Sequence, residues 1–400
     1  MKVKEKISYY STREILLKIS LFVITYIILC VLIIVLPYEI QDSDSQVYSY
    51  IGHQLASTPL IKWCAPVWKG HNNNPGYFQD HPPGMFWITA LFVRGGVPEQ
   101  SAALCANFLY ILLSLYFLYR LASYFGGSIL GWGAVFGFIF TPIFLQYLIR
   151  ANHEHPSNLA VIAGLYAFVR SEESWRYKAL FVIALIFAVF TKGLIALILI
   201  MLALLYWVLF FRNIRNLLFI LFASLLTVGI MYLFELWYQN ITYGVSFWQN
   251  YIYFHGGKVI EAGFNPLNKI INFFWYLSRA IWFSAPWVFF VFYWIYKSKK
   301  ENIPFLKDKL FKLCLFGAAL IIFWFSLSDR KADRYIFSAY CFLVITGILI
   351  LFTITPKIIQ FLQKRKKLLP IYLSAILIIF TLIRIFFHTY FHRFIRFWPG

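Results

Sequence analysis

The chain has 400 residues, of which 61% are hydrophobic and 13% charged, with a formal net charge of +20. So little charge in so much apolar sequence excludes an ordinary soluble domain, and apolar runs of about 18 residues or more read as membrane-spanning helices. The basic excess sits in short connectors such as "KSKK" at 297–300 and "QKRKK" at 363–367, not in a stripe with stacking aromatics. That pattern excludes nucleic acid as a partner and marks cytoplasmic loops beside membrane lipid.

The N-terminal "MKVKEKISYYSTREILLK" is basic and leads into an apolar span at 15–37. This span is longer than a signal-peptide core and no small-residue cleavage site follows, so a retained anchor with a cytoplasmic N-terminus is expected. Further spans are predicted at 101–119, 129–149, 157–170, 178–191, 193–211, 216–237, 271–296, 311–327, 335–354 and 369–388. The fold class is therefore an all-α polytopic membrane protein with about eleven spans (ten to twelve), forming a single transmembrane domain over 1–400. An odd number of spans places the C-terminus outside.

Two outer loops are longer than connectors need, 38–84 and 238–270, and loops on a rigid scaffold often carry function. The apolar "MFWITALFV" at 85–93 is too short to span and is expected to be an interfacial or re-entrant helix, extending the first outer region to 38–100. "FTKGL" at 190–194 supplies a polar break and a tight turn between two spans. The five cysteines, Cys30, Cys64, Cys105, Cys314 and Cys341, show no disulfide or zinc pattern.

Charged residues gather on the outer side. Asp42 and Asp44 follow the first span, and can be read as a metal-holding Asp-x-Asp, a solvated loop, or a base at the membrane surface. "QDHPPG" carries Asp80 and His81, with two prolines stiffening the chain before Gly84. "RANHEHP" at 150–156 sets Glu154 between two histidines, Lys192 lies in "FTKGL", and "SLSDRKADRY" brings Arg330, Lys331 and Arg334. Taken singly, each has a plainer reading: a solvated turn for Glu154, a snorkelling Lys192, an interfacial cluster on anionic lipid heads for the three cations. Arg279 and Arg384 read as packed or snorkelling. Together, acids and cations at one membrane face suit a reaction on a lipid-linked phosphate, which needs a base and positive charge for the leaving group.

These residues give the chain a family likeness. It resembles the membrane-embedded C-type glycosyltransferases, namely the protein mannosyltransferase-like group and the related aminoarabinose transferases (glycosyltransferase families 39 and 83), over roughly residues 30 to 345. The likeness rests on "DSQVY" (Asp44 to Tyr48), "QDHPPGMFW", Glu154-His155-Pro156, "TKG" at 191–193, "YIYFHGGKVIEAGFNP" with "FSAPW", and "FSLSDRKADRYI" at 325–336. It implies the C-type glycosyltransferase fold and transfer of a sugar from a polyprenyl-phosphate donor to a lipid, glycan or protein acceptor. The reaction is expected at the periplasmic face of a bacterial inner membrane, within cell-envelope glycan or lipopolysaccharide biosynthesis.

The resemblance implies Asp44 as the catalytic base, with Asp42 a bystander, and Glu154 positioning acceptor or sugar. It implies His81, Lys192, Lys331, Arg334 and Arg330 at the donor phosphate, and Tyr48, Asp80 and His155 at the substrate. No cofactor is required, but a divalent metal at Asp80 and His255 is an option carried over from the aminoarabinose branch. Ser45 stands where the family often has Glu, and His81 where that branch has Lys. Two other functions use the same charges: a polyprenyl-pyrophosphate-linked glycan ligase or polymerase, and a non-enzymatic lipid-linked sugar flippase. A transporter commonly shows internal repeats, and none is visible here.

Overall fold

The computed structural model describes residues 12–35, 43–68, 76–254, 265–298, 308–328 and 331–387. Asp42, His255 and Arg330 lie outside these described residues. Among them the regular structure is helical, apart from one antiparallel bridge between Val67 and Tyr77. The helices, numbered in chain order, are α1 (Thr12–Val35), α2 (Ser43–Ala56), α3 (Gly84–Arg94), α4 (Glu99–Ile139), α5 (Pro142–Tyr147), α6 (Glu154–Val169), α7 (Trp175–Lys192) and α8 (Ile195–Tyr206). They continue as α9 (Ile214–Thr242), α10 (Phe247–Ile252), α11 (Pro266–Phe283), α12 (Trp287–Ser298), α13 (Lys309–Ser326), α14 (Phe337–Ile354), α15 (Pro356–Lys364) and α16 (Leu369–Phe386).

The chain is an integral membrane protein. By length and composition five of its described helical stretches can cross a bilayer, Glu99–Ile139, Ile214–Thr242, Lys309–Ser326, Asp333–Ile354 and Leu369–Phe386, and shorter apolar helices accompany them. α4 is a hairpin rather than one rod. At Gly127 φ is 75°, a left-handed value that glycine adopts without penalty, and the two limbs fold back so that Tyr119 meets Trp132 at 4.9 Å.

Two expected spans are broken. The run 129–149 stops at Thr141, whose extended backbone precedes Pro142 and whose hydroxyl caps the Phe144 N–H of α5. The run 271–296 is two helices, α11 and α12, because Pro286 has no N–H to continue the hydrogen-bond ladder. "FTKGL" forms the expected turn: α7 ends at Lys192, Gly193 has φ 52°, and α8 begins at Ile195. The 85–93 segment is helix α3, packed against α2.

α6 and α14 form the centre of the bundle. Every residue of α6 is buried, as are Phe337 to Ile348 of α14. A helix apolar all round its circumference packs on every side. Gly133 and Gly137, a GxxxG pair on the second limb of α4, bring that limb close to Val344 and Ile348 of α14. Gly347 lies against the backbone carbonyl of Trp287, while the Trp287 indole N–H donates to the Gly137 carbonyl at 2.6 Å. α9, by contrast, shows Leu225 and Leu233 at its surface, as a lipid-facing helix does.

The alternation of helices gives the bundle two ends. The segments holding Asp44, Asp80, Glu154, Lys192 and Arg334 meet at one end. Arg120, Arg170, Arg176, Arg212, Arg215 and the 364–367 run lie at the other.

Gly347→Ala should destabilise the protein by about 1–3 kcal/mol, because the new methyl meets backbone that cannot give way. Gly229→Ala on α9, where nothing stands within 4 Å of the new carbon, should be neutral. Thermal unfolding in detergent compares the two.

Candidate active site

α2 begins just beyond α1 and carries Asp44 in its first turn. Its inner face buries Tyr48, Ile51 and Leu55 against Phe78 and Phe86, which fixes the helix over the bundle end. Ser45 is fully buried and its hydroxyl accepts the Ala151 N–H at 2.9 Å. The small side chain at 45 thus ties α2 to the turn at 150–153.

That turn holds Asn152, His153 and Glu154, all buried, at the start of α6. Pro156 fits the first helical turn, where its missing N–H leaves no bond unmade. Arg334 projects from a 3-10 turn, Asp333–Ile336, that leads into α14. Asp333 anchors this turn: its carboxylate accepts the Tyr147 hydroxyl at 3.2 Å and the Arg334 N–H at 2.8 Å, and its carbonyl accepts the Tyr340 hydroxyl at 2.7 Å.

Arg334 is the centre of an ion-pair network. Its Nη1 donates to Asp44 Oδ2 at 3.1 Å, and its Nε lies 3.6 Å from Glu154 Oε1. Lys192 Nζ reaches the same Glu154 oxygen at 3.4 Å and lies 5.0 Å from the centre of the Tyr335 ring. Asn152 donates to Asp44 Oδ2 at 3.0 Å. The carboxylate of Glu154 is almost wholly enclosed, and among the described residues its Oε2 has no hydrogen-bond partner. Asp44 is 40% exposed, so one end of the network is sealed and the other opens outward.

These groups line a cavity of about 630 Å³. Asp44, Val47 and Tyr48 form one side, Phe78, Asp80 and His81 another, and Asn152 to Glu154 the floor. Lys192, Leu194, Ile195 and Tyr251 continue the wall. Trp324, Phe325 and Leu327 from the end of α13 add an apolar flank beside Arg334 and Tyr335. The rings of His81 and His153 lie 4.1 Å apart, with Tyr48 edge-on to His153 at 4.9 Å. Burial, reinforced by the charges of Asp44 and Glu154, pushes the Tyr48 phenol well above its usual range and keeps it neutral.

The second outer loop supports the Lys192 turn. Glu235 of α9 accepts the Phe247 and Trp248 N–H groups at 3.2 and 3.1 Å, fixing the start of α10. Tyr251 then donates its hydroxyl to the Lys192 carbonyl at 2.9 Å and accepts the Leu194 N–H at 3.4 Å, straddling Gly193. There is no room for a side chain at 193, where a Cβ would lie 2.6 Å from the Tyr251 oxygen.

Of the residues singled out in the sequence, the structure brings Asp44, Tyr48, Asp80, His81, Glu154, Lys192 and Arg334 to one cavity. His155 is placed elsewhere: its Nε2 donates to the Tyr147 carbonyl at 3.0 Å and its ring packs on Phe337. Lys331 is exposed and is not part of the cavity lining. Among the described residues no group of three or more His, Cys, Asp or Glu side chains is placed to hold a metal. Cys64 is buried, and that burial pushes its thiol up to about 12, which disfavours the thiolate. Arg384 donates to the Leu145 carbonyl at 2.9 Å and is packed, as expected. Asn152, His153, Tyr251 and Tyr335 carry no assigned role in the sequence reading, although each stands inside one of the quoted motifs.

Residues 80–238 match the family described as dolichyl-phosphate-mannose-protein mannosyltransferase, which bears out the motif resemblance over that stretch. No curated protein matches the chain in sequence. In fold the chain is similar to ArnT from Cupriavidus metallidurans bound to undecaprenyl phosphate, with a TM-score of 0.60, 17% identity, and coverage of 86% of this chain and 60% of that one. It is also similar to ArnT from the same organism in the apo state, with a TM-score of 0.58, 16% identity, and coverage of 83% of this chain and 59% of that one. The archaeal oligosaccharyltransferase AglB from Archaeoglobus fulgidus, in complex with an inhibitory peptide and a dolichol-phosphate, gives 0.55 at 15% identity, covering 90% of this chain and 55% of that one. The fold is thus the membrane glycosyltransferase fold, and the chain spans less than two thirds of the length of these structures.

Lys192→Met should destabilise the protein by about 3 kcal/mol, because the enclosed Glu154 loses a cation. Adding Glu154→Gln should recover most of the loss, a coupling of about 1–3 kcal/mol readable in detergent melts. Tyr251→Phe should cost about 1 kcal/mol by the same measurement, since its ring stays packed and only the hydroxyl bonds are lost.

Proposed function

We propose that the protein transfers a sugar from a polyprenyl-phosphate-linked donor to a lipid, glycan or protein acceptor at the outer face of the membrane. One observation carries the reading: Asp44 and Glu154 share Arg334 in a cavity flanked by the apolar Trp324, Phe325 and Leu327. A donor with a charged phosphate and a hydrocarbon tail matches both halves of that surface. Two proteins of similar fold are described with undecaprenyl phosphate and a dolichol-phosphate, which supports the donor class.

In this reading the four charges, Asp44, Glu154, Lys192 and Arg334, balance one another across the cavity. A donor phosphate draws on Arg334 and Lys192. An Arg334 donor given to a phosphate oxygen leaves Asp44 Oδ2 with Asn152 as partner and open to an acceptor hydroxyl. Asp44 takes the hydroxyl proton as the acceptor oxygen bonds to the anomeric carbon. The carbon–oxygen bond to phosphate breaks, its electrons pass to the phosphate oxygen, and polyprenyl phosphate leaves with one more negative charge. Arg334, Lys192 and His81 meet that charge as it forms. Attack opposite the leaving group inverts the anomeric centre. Glu154 is enclosed, which suits orienting the cations and a sugar hydroxyl.

Asp80 and Tyr48 line the wall where the sugar and acceptor meet. The divalent metal at Asp80 and His255 forms no part of this reading, since His255 lies outside the described residues and no described metal-holding group includes Asp80. The basic residues at the opposite end of the bundle favour that end as cytoplasmic and the cavity as periplasmic, in a bacterial inner membrane.

Asp44→Asn should lower transfer at least about 10³-fold while leaving protein level and donor binding near normal. Mass spectrometry of lipid-linked sugars before and after loss of the protein reads the natural donor. Accumulation of a polyprenyl-monophosphate sugar supports the reading. Accumulation of a pyrophosphate-linked glycan points to a ligase or polymerase, and movement of the donor across liposomes without a glycosidic product points to a flippase.

A further inference from the structure

Asp333 is the last acidic residue of the chain, yet five basic residues follow between 357 and 367. They lie on and just beyond α15, a nine-residue helix with no buried residue, at the bundle end opposite the Asp44 cavity. The helix is two-sided. Ile359 and Leu362 are half-buried toward the protein, whereas Ile358 and Phe361 are exposed, Phe361 at 52%. Lys357, Gln360 and Lys364 share the remaining face. The Arg365 guanidinium lies over the Phe361 ring at 4.4 Å, so cation and aromatic body stand together at the boundary of the two faces.

Nothing described in the protein neutralises this run. Among the described residues at the same end, Glu173 is paired with Arg170, Glu172 accepts from Asn213 and Asn216, and Asp308 caps α13. A second cavity, of about 450 Å³, opens between α15 and the turn of the α4 hairpin. Gln363 and Lys366 form its polar side, and Leu130, Phe352 and Ile359 its apolar side. An amphipathic basic helix beside such a cleft is complementary to a negatively charged head on an apolar body.

We propose that residues 356–367 are a binding surface for anionic phospholipid. Ile358 and Phe361 enter the acyl boundary, Lys364 to Lys367 hold headgroup phosphates, and one headgroup sits in the cleft at Lys366. This site is separate from the sugar-transfer cavity and does not depend on that reading. It would make the protein selective for the anionic lipids of the leaflet it faces.

The test is native mass spectrometry of the full-length protein released from micelles containing phosphatidylglycerol or phosphatidylcholine. Each Lys or Arg near an anionic surface contributes about fivefold to partitioning, so the wild type should retain phosphatidylglycerol about tenfold or more over phosphatidylcholine. The combined K364Q, R365Q, K366Q and K367Q variant should lose that preference. Phe361→Ser, at an exposed position, should lower retention of both lipids. Arg176→Gln with Arg215→Gln, exposed cations at the same end, should leave the preference intact. Equal retention of the two lipids by the wild type would overturn the proposal, as would a preference that survives the fourfold substitution. Equal loss in the Arg176 and Arg215 control would reduce it to general charge. A dimer abolished by Phe361→Ser would replace the lipid with a second copy of the chain.

Discussion

Arg334 holds two carboxylates that are remote in sequence, Asp44 on α2 and Glu154 on α6, and the cavity depends on that shared guanidinium. Without it, an enclosed glutamate and an outward-facing aspartate would rely on Lys192 and Asn152 alone. A charge as enclosed as Glu154 costs several kcal/mol unless it is compensated, so the network constrains where α2, the 150–153 turn and the start of α14 sit. The planar fork of arginine suits this bridging, because it presents fixed donors in more than one direction; a lysine offers one mobile point charge.

The supports around Arg334 follow from ordinary packing. α6 and α14 are buried on all sides, so their outer ends are fixed in position. Tyr147 and Tyr340 lock the turn before α14 through Asp333, and Tyr251 locks the turn after α7 across Gly193. The 150–153 turn, the Gly193 turn and the 3-10 turn at Asp333 all lie where helices end at the cavity. Even the lipid-facing α9 contributes, through Glu235, which fixes α10 and hence Tyr251.

Much of this was legible in the sequence because membrane helices and charged breaks are strong signals. The apolar runs gave most spans, and the charges left over at their outer ends gave Asp44, Glu154, Lys192 and Arg334. What was not legible depends on side-chain direction. "HEH" reads as two equivalent histidines around Glu154, but the helix starting there turns His153 to the cavity and His155 toward Phe337. Lys331 and Arg334 are three residues apart, yet only the second is in the 3-10 turn that faces Asp44. Tyr251 opens the motif "YIYFHGGKVIEAGFNP", but its role is a contact with the backbone turn after another helix, which a motif does not show. The break at Pro286 could have been read from its missing N–H, but the apolar run around it concealed the end of α11. Ser45 was legible only as a departure from a family pattern; in the fold its small hydroxyl joins α2 to Ala151.

The central claim is that Arg334 and Lys192 form a phosphate site at the mouth of an apolar flank. The most direct measurement is the dissociation constant of a short-chain polyprenyl phosphate against that of the matching polyprenol, for the wild type and Arg334→Gln. If the cations hold the phosphate, the wild type should bind the phosphate about a hundredfold more tightly than the alcohol, as two charge-assisted contacts of about 1.5 kcal/mol each imply. Arg334→Gln should lose about a factor of ten of that difference. Equal wild-type affinities for phosphate and alcohol would contradict the claim.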